Sequence, residues 1–267
     1  MHKPKHLTIR TRLRQTIVLL AIAAMWHSQA SAQISQTKEY IRAGERLIAV
    51  LEMPPPYFTD VSGQQATEAN LLHSEGIASG TTGCGGSPPT YCPTETLARD
   101  QMAVLVIASV YVAALGPGQG GNFTYNATRY FADVPTTYWA FKFIQKMYEL
   151  GITAGCSTNP LDYCPSSTTL DYQMAVFSVG ARMCAEYGPA NGCASHSFTY
   201  PATPQYYVDM PNGSAGFAQV QYLTSLAVIS PTPPNCGQSC YFYPNISITR
   251  GSSTPYLTRG ILDVFSY

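Results

Sequence analysis

Two stretches dominate the hydrophobic and polar pattern of the chain. Positions 102–115 are apolar almost throughout, and Met174, Ala175, Val176, Phe177 and Val179 wrap most of the circumference of a second predicted helix at about 170–186. A helix that is apolar nearly all round must be central. Shorter, one-faced patterns precede each of them. Ala140, Phe143, Ile144 and Met147 stand at i, i+3, i+4 and i+7, a single helix face. Gly151 follows as a residue able to take positive φ, with Ile152 as the apolar contact of a Schellman ending. Ala69, Leu72, Gly76 and Ile77 spell the same ending earlier in the chain. A third pair is less regular. Ala227 stands where the capping glycine is expected, and Gly251 and Pro255 predict that the last helix starts only at Pro255, with Thr254 as its N-cap.

These helix pairs belong to a block that recurs three times. The clearest copy runs Tyr130-Phe131-Ala132-Asp133-Val134-Pro135, Trp139-Ala140, Gly151 to Cys156, Cys164-Pro165 and Gln173-Met174-Ala175-Val176. An earlier copy has Tyr57-Phe58-Thr59-Asp60-Val61, Gly76-Ile77, Cys84, Cys92-Pro93 and Gln101-Met102-Ala103-Val104. A worn copy has Tyr207-Val208-Asp209-Met210-Pro211, Cys236, Cys240, Pro244 and Ile248-Thr249-Arg250. Cys92 to Cys164 spans 72 residues and Asp133 to Asp209 spans 76, so the copies form an array. One unit of this size cannot bury its central helix alone. Three can, if the second helices meet on a common axis with the first helices outside. The expected units are 54–115, 127–187 and 203–267. The linkers are the glycine-rich 116–121 and the segment 188–204. Residues 33–53 form a lead-in, read as a hairpin or a short helix and broken by Pro54-Pro55-Pro56.

The first 32 residues read as a secretion signal. Lys3, Lys5, Arg10, Arg12 and Arg14 precede an apolar run at 17–26 that is too short to span a bilayer, and Ala30-Ser31-Ala32 offers a cleavage site. Without that segment the chain has 10 Lys+Arg against 15 Asp+Glu, a balance of −5, and shows no basic patch for nucleic acid. The 102–115 stretch also falls short of a membrane span. Abundant Tyr, Ser, Thr, Pro and Gly with few charges suit an extracellular surface.

All eight cysteines lie beyond residue 32, and an even count in an exported chain implies disulfides. The local pairs expected are Cys84–Cys92, Cys156–Cys164, Cys184–Cys193 and Cys236–Cys240. Each such loop costs the unfolded chain roughly 2 to 2.5 kcal/mol of entropy. Zinc is the weaker reading, since no C-x₂-C occurs and only His73 and His196 follow the signal segment. No metal or cofactor is called for. Asn122, Asn126, Asn212 and Asn245 head N-x-[ST] sequons.

The string Phe131-Ala132-Asp133-Val134-Pro135…Trp139-Ala140…Gly151-Ile152-Thr153…Gly155 resembles the S-layer homology (SLH) domain. The closing segments 97–104 and Ile248-Thr249-Arg250 resemble the Thr-Arg-Ala-Glu region of that family. The likeness covers about 57–267. It implies a mainly all-α fold: a pseudo-three-fold prism of SLH-like repeats around a central three-helix bundle, with short extended and loop segments. It also implies non-covalent, non-catalytic binding of anionic cell-wall polysaccharide in the grooves between repeats. In that role the expected ligand-binding residues are Arg99, Arg250, Trp139, Asp60, Asp133 and Asp209. A guanidinium can grip a ketal carboxylate bidentately, and an indole can cover a sugar face. The same residues have structural readings: the aspartates as loop or helix caps, Trp139 as a wedge, Gln101 and Gln173 as helix caps. Asp171 stands where the second copy should have arginine and would repel a carboxylated sugar. Nothing in the first copy matches Trp139, and the third offers only Phe217 nearby.

The expected setting is the bacterial envelope: secreted, at the cell surface, wall or periplasm, with self-association or an unidentified cargo protein as further partners. Two other classes compete. A hydrolase would need His73 or His196 beside a nucleophile, or Asp60 paired with Asp133; neither histidine lies in a nucleophile motif, and fixed repeat positions explain the aspartates more simply. A disulfide-stapled interaction module would use the tyrosine-rich loops.

Overall fold

The computed structural model describes residues 38–43, 46–52, 57–78, 84, 86–189, 193, 198–230 and 240–264. The chain divides into two units, Met1–Pro55 and Pro56–Tyr267. In the first, β1 (Lys38–Ala43) and β2 (Arg46–Glu52) pair antiparallel from Lys38↔Glu52 to Ala43↔Arg46, with an irregularity between Ile41 and Arg42. The lead-in is therefore a hairpin. The expected signal segment lies outside the described residues.

The second unit is mainly helical: α1 (Gly63–Ser74), α2 (Arg99–Leu115), α3 (Phe141–Glu149), α4 (Asp171–Tyr187), α5 (Phe217–Ser225) and α6 (Arg250–Pro255), which runs on into a π-turn at Tyr256–Ile261. A minimal ribbon, β3 (Ser157–Thr158) and β4 (Leu161–Asp162), precedes α4. As the apolar run demanded, α2 is buried continuously from Met102 to Val112. On α3 the buried face is Phe141, Ile144, Gln145 and Met147, with Ala140 just before it, while Phe143 is only half-buried.

α2, α4 and the π-turn after α6 touch one another pairwise. Outside them, α3 packs on α2, α5 on α4, and α1 on α6 and the π-turn, so each outer helix leans on the inner helix that precedes it and α1 leans on the last. Backbone hydrogen bonds follow the same cycle. Leu97 N donates to Ile248 O, Ile248 N to Thr169 O, and Thr169 N to Leu97 O, at 2.9 Å each.

The first amides of each inner helix have no partner within the helix. Here they reach carbonyls of another segment. Arg99 and Asp100 donate to Ser167 and Pro165; Asp171 and Tyr172 to Ile246 and Pro244; Arg250 and Gly251 to Glu95 and Pro93. Gln101 and Gln173 accept from Ala98 N and Leu170 N, the capping role expected of them.

α6 departs from expectation. It begins at Arg250, five residues earlier than predicted, because Thr249 caps it by accepting from Ser252 N. Pro255 therefore sits inside the helix. It leaves Gly251 O without its usual donor, and Thr254 Oγ1 takes that place at 2.9 Å. Past Pro255 the backbone widens into the π-turn, a change of register expected where a ladder bond is lost. Gly251 is needed for space: a Cβ there would lie 2.8 Å from Pro93 O and closer still to Gln65.

The outer helices end as their sequences predict. Ile77 N reaches Leu72 O and Ile152 N reaches Met147 O around Gly76 and Gly151. Val228 N reaches Leu223 O in the same way, although Ala227 must take φ 56° to allow it. The disulfides Cys84–Cys92, Cys156–Cys164 and Cys184–Cys193 are formed as expected. Cys240 is also disulfide-bonded, and Cys236, its expected partner, lies outside the described residues. Among the described residues no helix is long and apolar enough to cross a membrane.

Candidate functional site

The three aspartates of the opening motif make identical contacts. Asp60 accepts from Tyr91 N and Cys92 N, Asp133 from Tyr163 N and Cys164 N, and Asp209 from Phe242 N and Tyr243 N, all at 2.6 to 2.8 Å. Each carboxylate ties the loop about thirty residues ahead, using both oxygens. The second residue of each tied pair is held left-handed: Cys92 at φ 52°, Cys164 at 56° and Tyr243 at 61°. Such backbone persists only where its surroundings over-determine it, and the paired carboxylate bonds do so here.

Arg99 and Arg250 lie inside the protein, 4 % and 2 % exposed. Arg99 Nε donates to Tyr163 O at 2.9 Å and its guanidinium lies 4.9 Å from the Tyr163 ring centroid. Phe177 of α4 flanks it at 5.8 Å. Arg250 repeats this on Tyr91, with 2.8 Å to the carbonyl and 4.8 Å to the ring. Burial lowers the Arg250 pKa and pushes the Tyr91 phenol up to about 12. A cation in the first turn opposes the helix dipole; the carbonyl and the ring offset that cost. Arg99 Nη2 is buried and finds no acceptor among the described residues, as does Thr169 Oγ1. A buried donor left so costs about 1–3 kcal/mol.

Asp171 occupies the corresponding place on α4. Its Oδ1 accepts from the buried Tyr256 hydroxyl at 2.6 Å. Desolvation raises its pKa to about 6 and outweighs that hydrogen bond, which lowers it. Tyr256 is itself shifted well up, first by burial and then by the Asp171 charge.

One group of side chains faces outward where α2 meets the 130–165 segment. Asp100 Oδ1 accepts from Gln101 N at 2.7 Å, and Oδ2 accepts from Tyr138 Oη at 2.7 Å and Trp139 Nε1 at 3.0 Å. Trp139 is 53 % exposed, so it is neither core nor wedge. Burial, then the Asp100 hydrogen bond, moves the Tyr138 pKa up to about 12, which keeps it a donor at ordinary pH. The structure thus brings Arg99, Asp133 and Trp139 to one junction, Arg250 and Asp60 to a second, and leaves Asp209 with Asp171 at a third.

Sequence reasoning missed Asp100 and Tyr138. It also missed Gln145 and Gln221, which are buried and bind the backbone just before each aspartate motif: Tyr130 N and Tyr206 N donate to their Oε1 atoms, and their Nε2 atoms donate to Thr128 O and Pro204 O. Their matching place on α3 and α5, with a polar residue inside an apolar face, is the signal that could have found them.

Residues 130–157, which contain Asp133, Tyr138 and Trp139, match the S-layer homology domain. That domain is generally a module for anchoring to the cell wall or envelope, a binding unit and not a catalytic one. No curated protein matches the chain.

Proposed function

We propose that this S-layer homology domain protein is a secreted, non-catalytic envelope protein that holds cell-wall polysaccharide without covalent bonds. In this reading the units 54–115, 127–187 and 203–267 are three repeats of one module. They form a pseudo-three-fold prism around α2, α4 and α6, and the ligand lies along the junctions between them. The cyclic hydrogen bonds among Leu97, Thr169 and Ile248 support the arrangement.

The observation that carries the functional reading is Trp139: a large ring, 53 % exposed, anchored through its indole N–H within the segment that matches the family. An exposed aromatic held in one orientation suits the apolar face of a sugar, since little rotamer freedom remains to be lost on binding. At the same junction Arg99 supplies buried positive charge, which favours an anionic polymer such as a pyruvylated wall glycan. Asp133, Asp60 and Asp209 act by fixing the loops that border the junctions. Arg250 gives a second, weaker junction, and Asp171 makes the third unsuited to carboxylates.

Co-sedimentation with purified wall sacculi tests the reading. Retention of the wild type, competition by soluble wall glycan, no release of reducing sugar, and loss of retention in Trp139→Ala with an unchanged melting curve are expected. Retention unaffected by Trp139→Ala would overturn it.

A further inference from the structure

We propose that Asp100 is a positioning and selectivity residue: its carboxylate fixes Tyr138 and Trp139 as a rigid platform and restricts the sugar ring seated there to an uncharged pyranose. The selectivity half rests on the glycan-binding reading; the positioning half does not.

The geometry is specific to one junction. Asp100 is the second residue of α2 and is 8 % exposed, so its carboxylate is held in place by the helix. Three donors meet it, from Gln101 N, Tyr138 Oη and Trp139 Nε1. A carboxylate has about four acceptor positions, so most of its capacity is used on this one task. Hydrogen bonds to an ionised acceptor are about twice as strong as neutral ones. The segment they restrain is otherwise exposed: Pro135, Thr136 and Thr137 all face solvent. Tyr138 and Trp139 lie next to each other, with ring centroids 6.3 Å apart and planes tilted at 42°.

The other junctions fill the same space differently. At the position of Asp100 they carry Gly251, crowded by Gln65 and Pro93, and Tyr172, whose ring lies 3.2 Å from where a Cβ on Gly216 would stand. Neither of these positions carries a carboxylate, and the aromatic donor that Asp171 holds at the third junction, Tyr256, is buried and presents no ring outward.

The charge completes the argument. Asp100 lies directly behind the indole edge. A carboxyl-bearing ring stacked on Trp139 would meet a like charge in a partly desolvated site, whereas a neutral ring would not. Negative charges on the polymer are therefore placed on rings beyond the platform, toward the arginine side.

The test uses the full chain with Trp26→Phe, so that Trp139 is the single indole. Its emission and acrylamide quenching are read with no glycan present, alongside retention on purified sacculi. Soluble fragments of the same sacculi, separated by anion exchange into neutral and carboxylated pools, serve as competitors. Asp100→Ala is expected to red-shift Trp139, raise its quenching and weaken retention about tenfold, and to add no further loss when introduced into Trp139→Ala. Asp100→Asn keeps one acceptor oxygen. It is expected to keep near-wild-type quenching while competition by the carboxylated pool strengthens relative to the neutral pool.

Unchanged emission and quenching in Asp100→Ala, with circular dichroism showing a folded chain, would overturn the positioning role whether or not anything binds sacculi. If Asp100→Ala does not fold, unchanged pool preference in Asp100→Asn would still overturn the selectivity role. A red-shifted Asp100→Ala beside a wild type that ignores sacculi would refute the glycan reading and uphold the positioning role.

Discussion

The junction built on Arg99 and the junction built on Asp171 share a backbone and oppose each other in chemistry. In both, the first two amides of an inner helix donate to the carbonyls of a loop, and an aspartate ties that loop from behind. On this frame Arg99 lies over the rings of Tyr163 and Phe177. Where Arg99 would be, Asp171 accepts from Tyr256, and the ring at the place of Tyr163 is Phe242, which has no hydroxyl. The sign of the buried charge has changed, and its neighbours have changed with it. The frame is held by main-chain bonds and by the tying aspartates, not by the residue at the place of Arg99, so one junction can specialise without unfolding the next.

The strongest way to break this comparison is to cut the shared frame. Asp133→Ala and Asp209→Ala each remove two charge-assisted bonds to backbone amides, and each is expected to cost about 3 kcal/mol in urea unfolding. Costs that differ several-fold would mean that the two junctions do not rest on the same support.

The next effect is pH-dependent and belongs to one junction alone. The Asp171 pKa is about 6 in the folded protein, against roughly 3.9 in an unfolded chain. Folding therefore favours the protonated acid. Its stability contribution is complete below about pH 4 and is lost as pH rises through 6. The expected loss is about 2 kcal/mol between pH 4 and 7, and Asp171→Asn removes it. Urea midpoints measured across that range for wild type and variant check the sign and the size.

Ala227→Gly compares the two outer helices. Gly151 ends α3 in the left-handed region at no steric cost, while Ala227 takes φ 56° with a Cβ. The substitution is expected to stabilise the protein by about 1 kcal/mol, seen as a higher melting temperature. The smallest effect on stability is expected from Trp139→Ala, within about 0.5 kcal/mol for an exposed side chain, in a variant that loses sacculus binding.

The helices were legible because burial imposes a period on sequence. The unbroken run 102–115 and the stripe on α3 could be read directly, and so could the endings at Gly76 and Gly151. Cys84–Cys92 and Cys156–Cys164 were legible from matched spacing, and Cys184–Cys193 from the closeness of its two cysteines in sequence. The roles of Asp60, Asp133 and Asp209 were only half legible. A carboxylate that binds backbone amides thirty residues away leaves no residue-type signal at the far end. The same limit hid Asp100: its partners Tyr138 and Trp139 lie 38 and 39 positions on. Arg99 and Arg250 read as ligand-binding residues, and their burial was not foreseen because the main-chain carbonyls and tyrosine faces that allow it cannot be seen in composition. The early start of α6 was missed because Pro255 reads as a helix start, and only the contact with Gln65 and Pro93 explains Gly251.

The closed cycle of main-chain bonds has a consequence for truncation. Glu95 and Pro93 accept the leading amides of α6, and Leu97 donates to Ile248. A chain that stops near position 245 would lose more than its own last turns. It would strand acceptors at the front of the protein and uncover the side of α1 that rests on the missing tail. Proteolytic trimming from the C-terminal end should therefore register first as instability near residue 95.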